Sequence, residues 1–124
     1  MRVGPADKLE AFQRAYVLAL EVHRLTGGFP RSEQYGGVAE QLRRSSKAVC
    51  ANLVEGAGRQ SIGTRAEFRR FVVMALGLAE ESRLWLRFAG DLGYLPPVRT
   101  EALRAAFAEV ARMLQGLTRH LSEH

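Results

Sequence analysis

One cysteine, Cys50, stands in 124 residues, so the chain closes no internal disulfide and offers no multi-cysteine metal site, a usage that fits a reducing cytoplasm. Histidine is nearly as scarce. A ferritin-type dimetal site needs Glu-x-x-His pairs, yet Leu20, Leu117 and Leu121 occupy the positions three before His23, His120 and His124. Long apolar runs are missing too. The longest stretch without a polar side chain, Phe71 to Ala79, falls far short of the roughly twenty residues that cross a bilayer. The first residues, Met1-Arg2-Val3-Gly4, carry no apolar signal core. These absences lead to the expectation of a soluble, cytoplasmic protein with no cofactor.

Catalytic motifs are equally thin. Gly56-Ala57-Gly58-Arg59-Gln60-Ser61 begins like a dinucleotide fingerprint but lacks the final glycine, and it follows a helical pattern where a strand is required. No Gly-Lys-Ser or Gly-Lys-Thr phosphate loop exists. A thiol nucleophile needs a histidine beside Cys50, and His23 is the one plausible neighbour, so an inert small core residue is the better reading. Adjacent Glu80 and Glu81 point about a hundred degrees apart on a helix and cannot serve one substrate together. The expectation is a protein that is not an enzyme.

What the chain does contain is helical periodicity, and no strand pattern competes with it. Leu9, Phe12, Tyr16, Leu20 and His23 mark a first amphipathic helix, closed by Thr26-Gly27-Gly28-Phe29-Pro30. A second runs from Val38 to Ala57, a third from Thr64 to Leu92, with Gly58 to Gly63 as a polar loop between them. In the fourth, beyond Pro96-Pro97, Leu103, Phe107, Val110, Leu114, Leu117 and Leu121 alternate four- and three-residue steps. With 47% hydrophobic residues the chain fits one compact domain, 1–124: an all-α, antiparallel up-down four-helix bundle.

Within the second helix Val38, Leu42, Ser45, Val49, Asn52 and Gly56 share a face, while Arg43, Arg44 and Lys47 lie opposite. Asn52 on the inward arc and Glu55 at its border need partners if buried. Together with Arg59 and Glu80 they suit a structural polar network joining the second helix to the third. For Glu55 alone, a solvated helix end with a glycine cap is the simpler alternative.

The net charge of +5 is concentrated. Between residues 41 and 70 lie Arg43, Arg44, Lys47, Arg59, Arg65, Arg69 and Arg70 against Glu55 and Glu67 alone, and the remainder of the chain balances. Such a segment attracts phosphate backbones or acidic protein surfaces, so these seven are the candidate nucleic-acid-binding residues. An ordinary solvated surface is the alternative. The third helix carries apolar residues on every side from Phe71 to Ala79. Phe68, Val72, Ala75, Ala79 and Leu86 can face the bundle core, leaving Phe71, Met74, Leu78, Trp85 and Leu92 for an oligomer interface. Trp85 could instead stack on a base.

The stretch Gln41-Leu42-Arg43-Arg44 followed by Asn52-Leu53-Val54-Glu55-Gly56-Ala57-Gly58-Arg59 resembles the hallmark of the four-helix-bundle family of ribosomal RNA intervening-sequence proteins. The likeness continues through Glu67-Phe68, Phe71, Ala75-Leu76-Gly77 with Glu80, and Leu92-Gly93-Tyr94-Leu95. Ser45, Ser46 and Lys47 depart from the small apolar residues usual there, Ala48 from serine and Cys50 from the frequent proline. The resemblance implies a ring-like homo-oligomer, a pentamer of bundles. A related branch is the accessory variability determinant of diversity-generating retroelements, which implies RNA or DNA and a reverse transcriptase as partners. The alternative is a structural or interaction oligomer of the intervening-sequence family with no nucleic-acid function.

Overall fold

The computed structural model describes residues 4–60 and 62–122. Four helices follow one another, α1 (Glu10–Thr26), α2 (Val38–Gln60), α3 (Arg65–Asp91) and α4 (Pro97–Ser122), with short 3-10 turns at Pro5–Lys8 and Arg31–Glu33. No strand occurs among the described residues. The four-helix bundle expected from periodicity is therefore present.

Local chemistry sets most boundaries. The Thr64 hydroxyl accepts from the Glu67 amide at 3.1 Å and so caps the start of α3. Just past its C-cap, Leu92, the chain turns away at Gly93, whose φ of +82° suits glycine. The Tyr94 amide then reaches back to the Ala89 carbonyl at 2.8 Å and the Gly93 amide to that of Gly90 at 3.0 Å, satisfying two orphan acceptors. Pro97 opens α4, where the missing amide hydrogen costs nothing.

The expected end of α2 at Ala57 is wrong by almost a turn, because the helix runs through Gly56 and Gly58 to Gln60. Gly56 is there for packing. A Cβ built on it would lie 2.8 Å from the Phe71 Cβ and 3.0 Å from a Phe68 ring carbon, so glycine lets α3 come close. Other small residues hold α2 and α3 together: Ser45 and Ser82, both buried, share a hydrogen bond of 2.8 Å.

Of the expected inward faces, those of α2, α3 and α4 are largely buried. Phe68, Val72, Ala75, Ala79 and Leu86 are all at most 3% exposed. The face of α1 is turned. Phe12 is buried as expected, but Ala15, Leu18, Ala19 and Val22 complete the core stripe, whereas Tyr16 and Leu20 are 41% and 38% exposed and His23 is at the surface. The rotation is roughly one residue's turn, about a hundred degrees. Alanines let α1 settle closely on its neighbours, and the larger Tyr16 and Leu20 remain at the rim.

Candidate functional site

Of the seven basic residues expected to form a binding face, three donate hydrogen bonds to other segments of the chain. Arg43 donates to the Gln34 side-chain oxygen at 3.0 Å, to the Thr26 hydroxyl at 3.1 Å and to the Gln34 carbonyl at 3.2 Å. It ties the turn after α1 to α2. Arg65 and Arg69 donate to the His120 and Thr118 carbonyls at 2.9 and 3.3 Å. Those carbonyls lie near the C-terminal end of α4, whose negative dipole end attracts cations, and that of His120 is among its last four, which lack an intrahelical partner. The charge excess of the sequence thus partly serves the fold.

The other four cations differ among themselves. Arg59 pairs with Glu55 at 2.9 Å, and its guanidinium also lies 5.3 Å from the centre of the Phe71 ring. Arg70 sits 4.9 Å from the same ring. Arg44 and Lys47 are exposed and make no ion pair among the described residues.

The structure does not bring Asn52, Glu55, Arg59 and Glu80 together into one network. Asn52 donates to the Ala48 carbonyl of its own helix at 2.8 Å. Glu55 and Arg59 form an exposed pair four residues apart, and Glu80 pairs with Arg83 at 3.3 Å. Each carboxylate finds a cation within its own helix and stays in water, which removes any need for a buried bridge; such pairs contribute little. The polar residues that do cross between segments are others. Tyr94 donates from its hydroxyl to Glu33 at 2.6 Å while the Val38 amide donates to the same carboxylate at 2.9 Å. Arg83 and Arg104 each donate from Nε to the other's carbonyl, at 3.2 and 3.3 Å, stitching α3 to α4. Glu33 and Gln34 lie in a turn without periodicity, so no sequence pattern pointed to them.

On α3 the expected interface residues separate. Phe71 is buried against Gly56 beneath the two guanidinium groups, and Leu78 is half-buried against the core. Met74 and Leu92 are 44% and 52% exposed. Trp85 is half-buried, donates to Glu81 at 3.1 Å and lies 5.7 Å from the Phe88 ring. Leu84 and Phe88, outside the expected interface set, are almost half exposed. Met74, Gly77, Glu81, Leu84 and Phe88 follow alternating three- and four-residue steps, the spacing of a seam between two helices. A Cβ on Gly77 would touch nothing within 4 Å. That second register, offset from the core stripe, was the legible signal for Leu84 and Phe88.

No group of three or more His, Cys, Asp or Glu side chains among the described residues could hold a metal ion, and no helix there is long and apolar enough to cross a membrane. The class defined by these features is a small all-α bundle with polar chemistry devoted to capping and inter-helix ties. The chain belongs to the 23S rRNA-intervening sequence protein family, whose sequence profile matches residues 7–116. Its fold is similar to that of a protein of unknown function from the S23 ribosomal protein family of Bacteroides thetaiotaomicron, with a TM-score of 0.77 at 20% identity over 87% of this chain and 97% of the other. No curated protein matches the sequence.

Proposed function

We propose that this chain is a non-enzymatic scaffold that assembles with copies of itself through the outward seam of α3. The observation that carries the reading is the row of Met74, Leu84, Phe88 and Leu92, each 44–52% exposed, on a helix whose opposite side already fills the bundle core. Apolar residues in a helical seam bury themselves against a second helix, and a monomer leaves them in water. Gly77 in mid-seam admits close approach. The ring of five bundles that the family resemblance implies is the stoichiometry this proposal takes.

Sedimentation equilibrium at micromolar concentration tests it. The expected mass is a multiple of 13.8 kDa, and Phe88→Glu should lower it while helicity is retained. A mass of one chain for the unaltered protein overturns the proposal.

A second reading adds a phosphate-bearing partner, RNA or DNA or a nucleic-acid enzyme such as a reverse transcriptase bound to its template. Arg44 and Lys47, exposed and unpaired, support it, with Arg70 flanking. Since Arg43, Arg65 and Arg69 are occupied by internal acceptors, the basic face available to a partner is smaller than composition suggests, and the scaffold without nucleic-acid function is the better-supported reading.

A further inference from the structure

We infer that the groove between α1 and α2 is a binding site for a small amphipathic anion, a carboxylate carried on an alkyl or aryl body. The groove encloses about 400 Å3 and is lined by Tyr16, Ala19, Leu20 and His23 from α1 and by Lys47 and Cys50 from α2. This volume lies within the range that small ligands occupy. The groove exists because α1 is turned: its alanines take the core and leave the Tyr16 and Leu20 side chains as one wall.

The lining divides by chemistry. Ala19, Leu20, Cys50 and the Tyr16 ring form an apolar floor and wall, and burial there pushes the Cys50 thiol up to about 11. Three of the lining residues, Lys47, His23 and Tyr16, are exposed and carry polar ends: an ammonium, an imidazole and a hydroxyl. None of the three makes a hydrogen bond or ion pair within the described residues. No carboxylate among the described residues lines the groove. Glu21 is held by Arg99 at 2.7 Å, and Glu40 accepts from the Gly36 amide at 3.1 Å.

An apolar slot with unpaired donors and no acceptor carboxylate favours a ligand with an apolar body and a negative head. The comparable groove between α1 and α4 lacks this bias, since its Arg14 pairs with Glu10 and its Glu109 with Arg112. Its charged groups are already neutralised locally.

Octanoate is the probe, and the rate of Cys50 alkylation by iodoacetamide is the readout, because the thiol lies in the groove and is the chain's only one. At ten times its Kd, octanoate should slow alkylation about tenfold by mass action. Lys47→Glu should raise that Kd about tenfold, the factor carried by one charge-assisted hydrogen bond. Arg24→Glu, which reverses an exposed cation outside the groove, should leave it unchanged. Octylammonium should fail to protect. Protection by octylammonium equal to that by octanoate would show a merely greasy slot and overturn the inference. Absence of protection at millimolar octanoate would overturn it as well. Protection that follows protein concentration and ignores octanoate would place a second copy in the groove, with the same consequence.

Discussion

Two glycines on neighbouring helices show how one residue type serves opposite ends. Gly56 is buried, with Phe71 and Phe68 standing where its side chain would be, whereas Gly77 is exposed with nothing within 4 Å of its missing Cβ. In a helix interior alanine is preferred over glycine by about 1 kcal/mol. At Gly77 that preference should appear undiluted, so Gly77→Ala should stabilise the isolated chain by roughly 0.5–1 kcal/mol. At Gly56 the steric cost should outweigh it, and Gly56→Ala should destabilise by about 1–3 kcal/mol, the range for overpacking a core. Urea titrations of both variants, made at protein concentrations too low for association, check the two signs. A stabilised Gly56→Ala would mean that α2 and α3 are not in close contact.

At the scale of elements, the turn after α1 and the turn after α3 are joined at one end of the bundle by Glu33 and Tyr94. The hydroxyl of Tyr94 and the amide of Val38 both donate to Glu33 and hold its carboxyl below the ordinary 4.5. The same carboxylate keeps the Tyr94 hydroxyl above its ordinary 10.0. For Glu33, a folded value lowered below the unfolded one means a contribution present above pH 4.5 and lost as pH falls through the lower value. For Tyr94, a raised value means a contribution present below pH 10.0 and lost as pH climbs through the higher one. The clamp therefore operates between these limits. Tyr94→Phe should be less stable than the parent at neutral pH, and the gap should narrow as the solution is acidified below about 4.5. Urea midpoints of the two proteins across pH 2.5 to 8 measure it, with these limits set by the ordinary carboxylate range. Packing of the ring against Phe29, 5.5 Å away, is kept in the variant, so a gap independent of pH would mean that the Tyr94 hydroxyl does not act through the Glu33 carboxylate.

For the whole molecule the question is how much of the +5 charge a partner can feel. Six of the seven ion pairs among the described residues link positions three or four apart on one helix, and only Arg99 with Glu21 crosses between helices. Those local pairs leave Lys8, Arg24, Arg31 and Arg119 uncompensated as well as Arg44 and Lys47, but Arg44 and Lys47 stand one turn apart on α2. If a phosphate-bearing partner binds, those two should carry it. Affinity for structured RNA in a gel shift should fall steeply with salt, and Arg44→Glu with Lys47→Glu should weaken it uniformly across sequences. Equal binding by the double variant would remove nucleic acid from the function of this face.

The helices, and the strips of α2, α3 and α4 that turn inward, were legible in the sequence, because a 3.6-residue period and capping residues such as Thr64 and Gly93 are local properties of the chain. The family was legible for the same reason, as a contiguous run from Gln41 to Arg59. The roles of the polar residues emerge from the packing of the helices. Arg65 and Arg69 meet carbonyls of Thr118 and His120, and Arg43 meets Gln34, contacts between positions that no periodicity relates. That packing also settled the rotation of α1, since Leu20 is more apolar than the alanines that displaced it, and the choice was made by how closely small side chains let two helices approach.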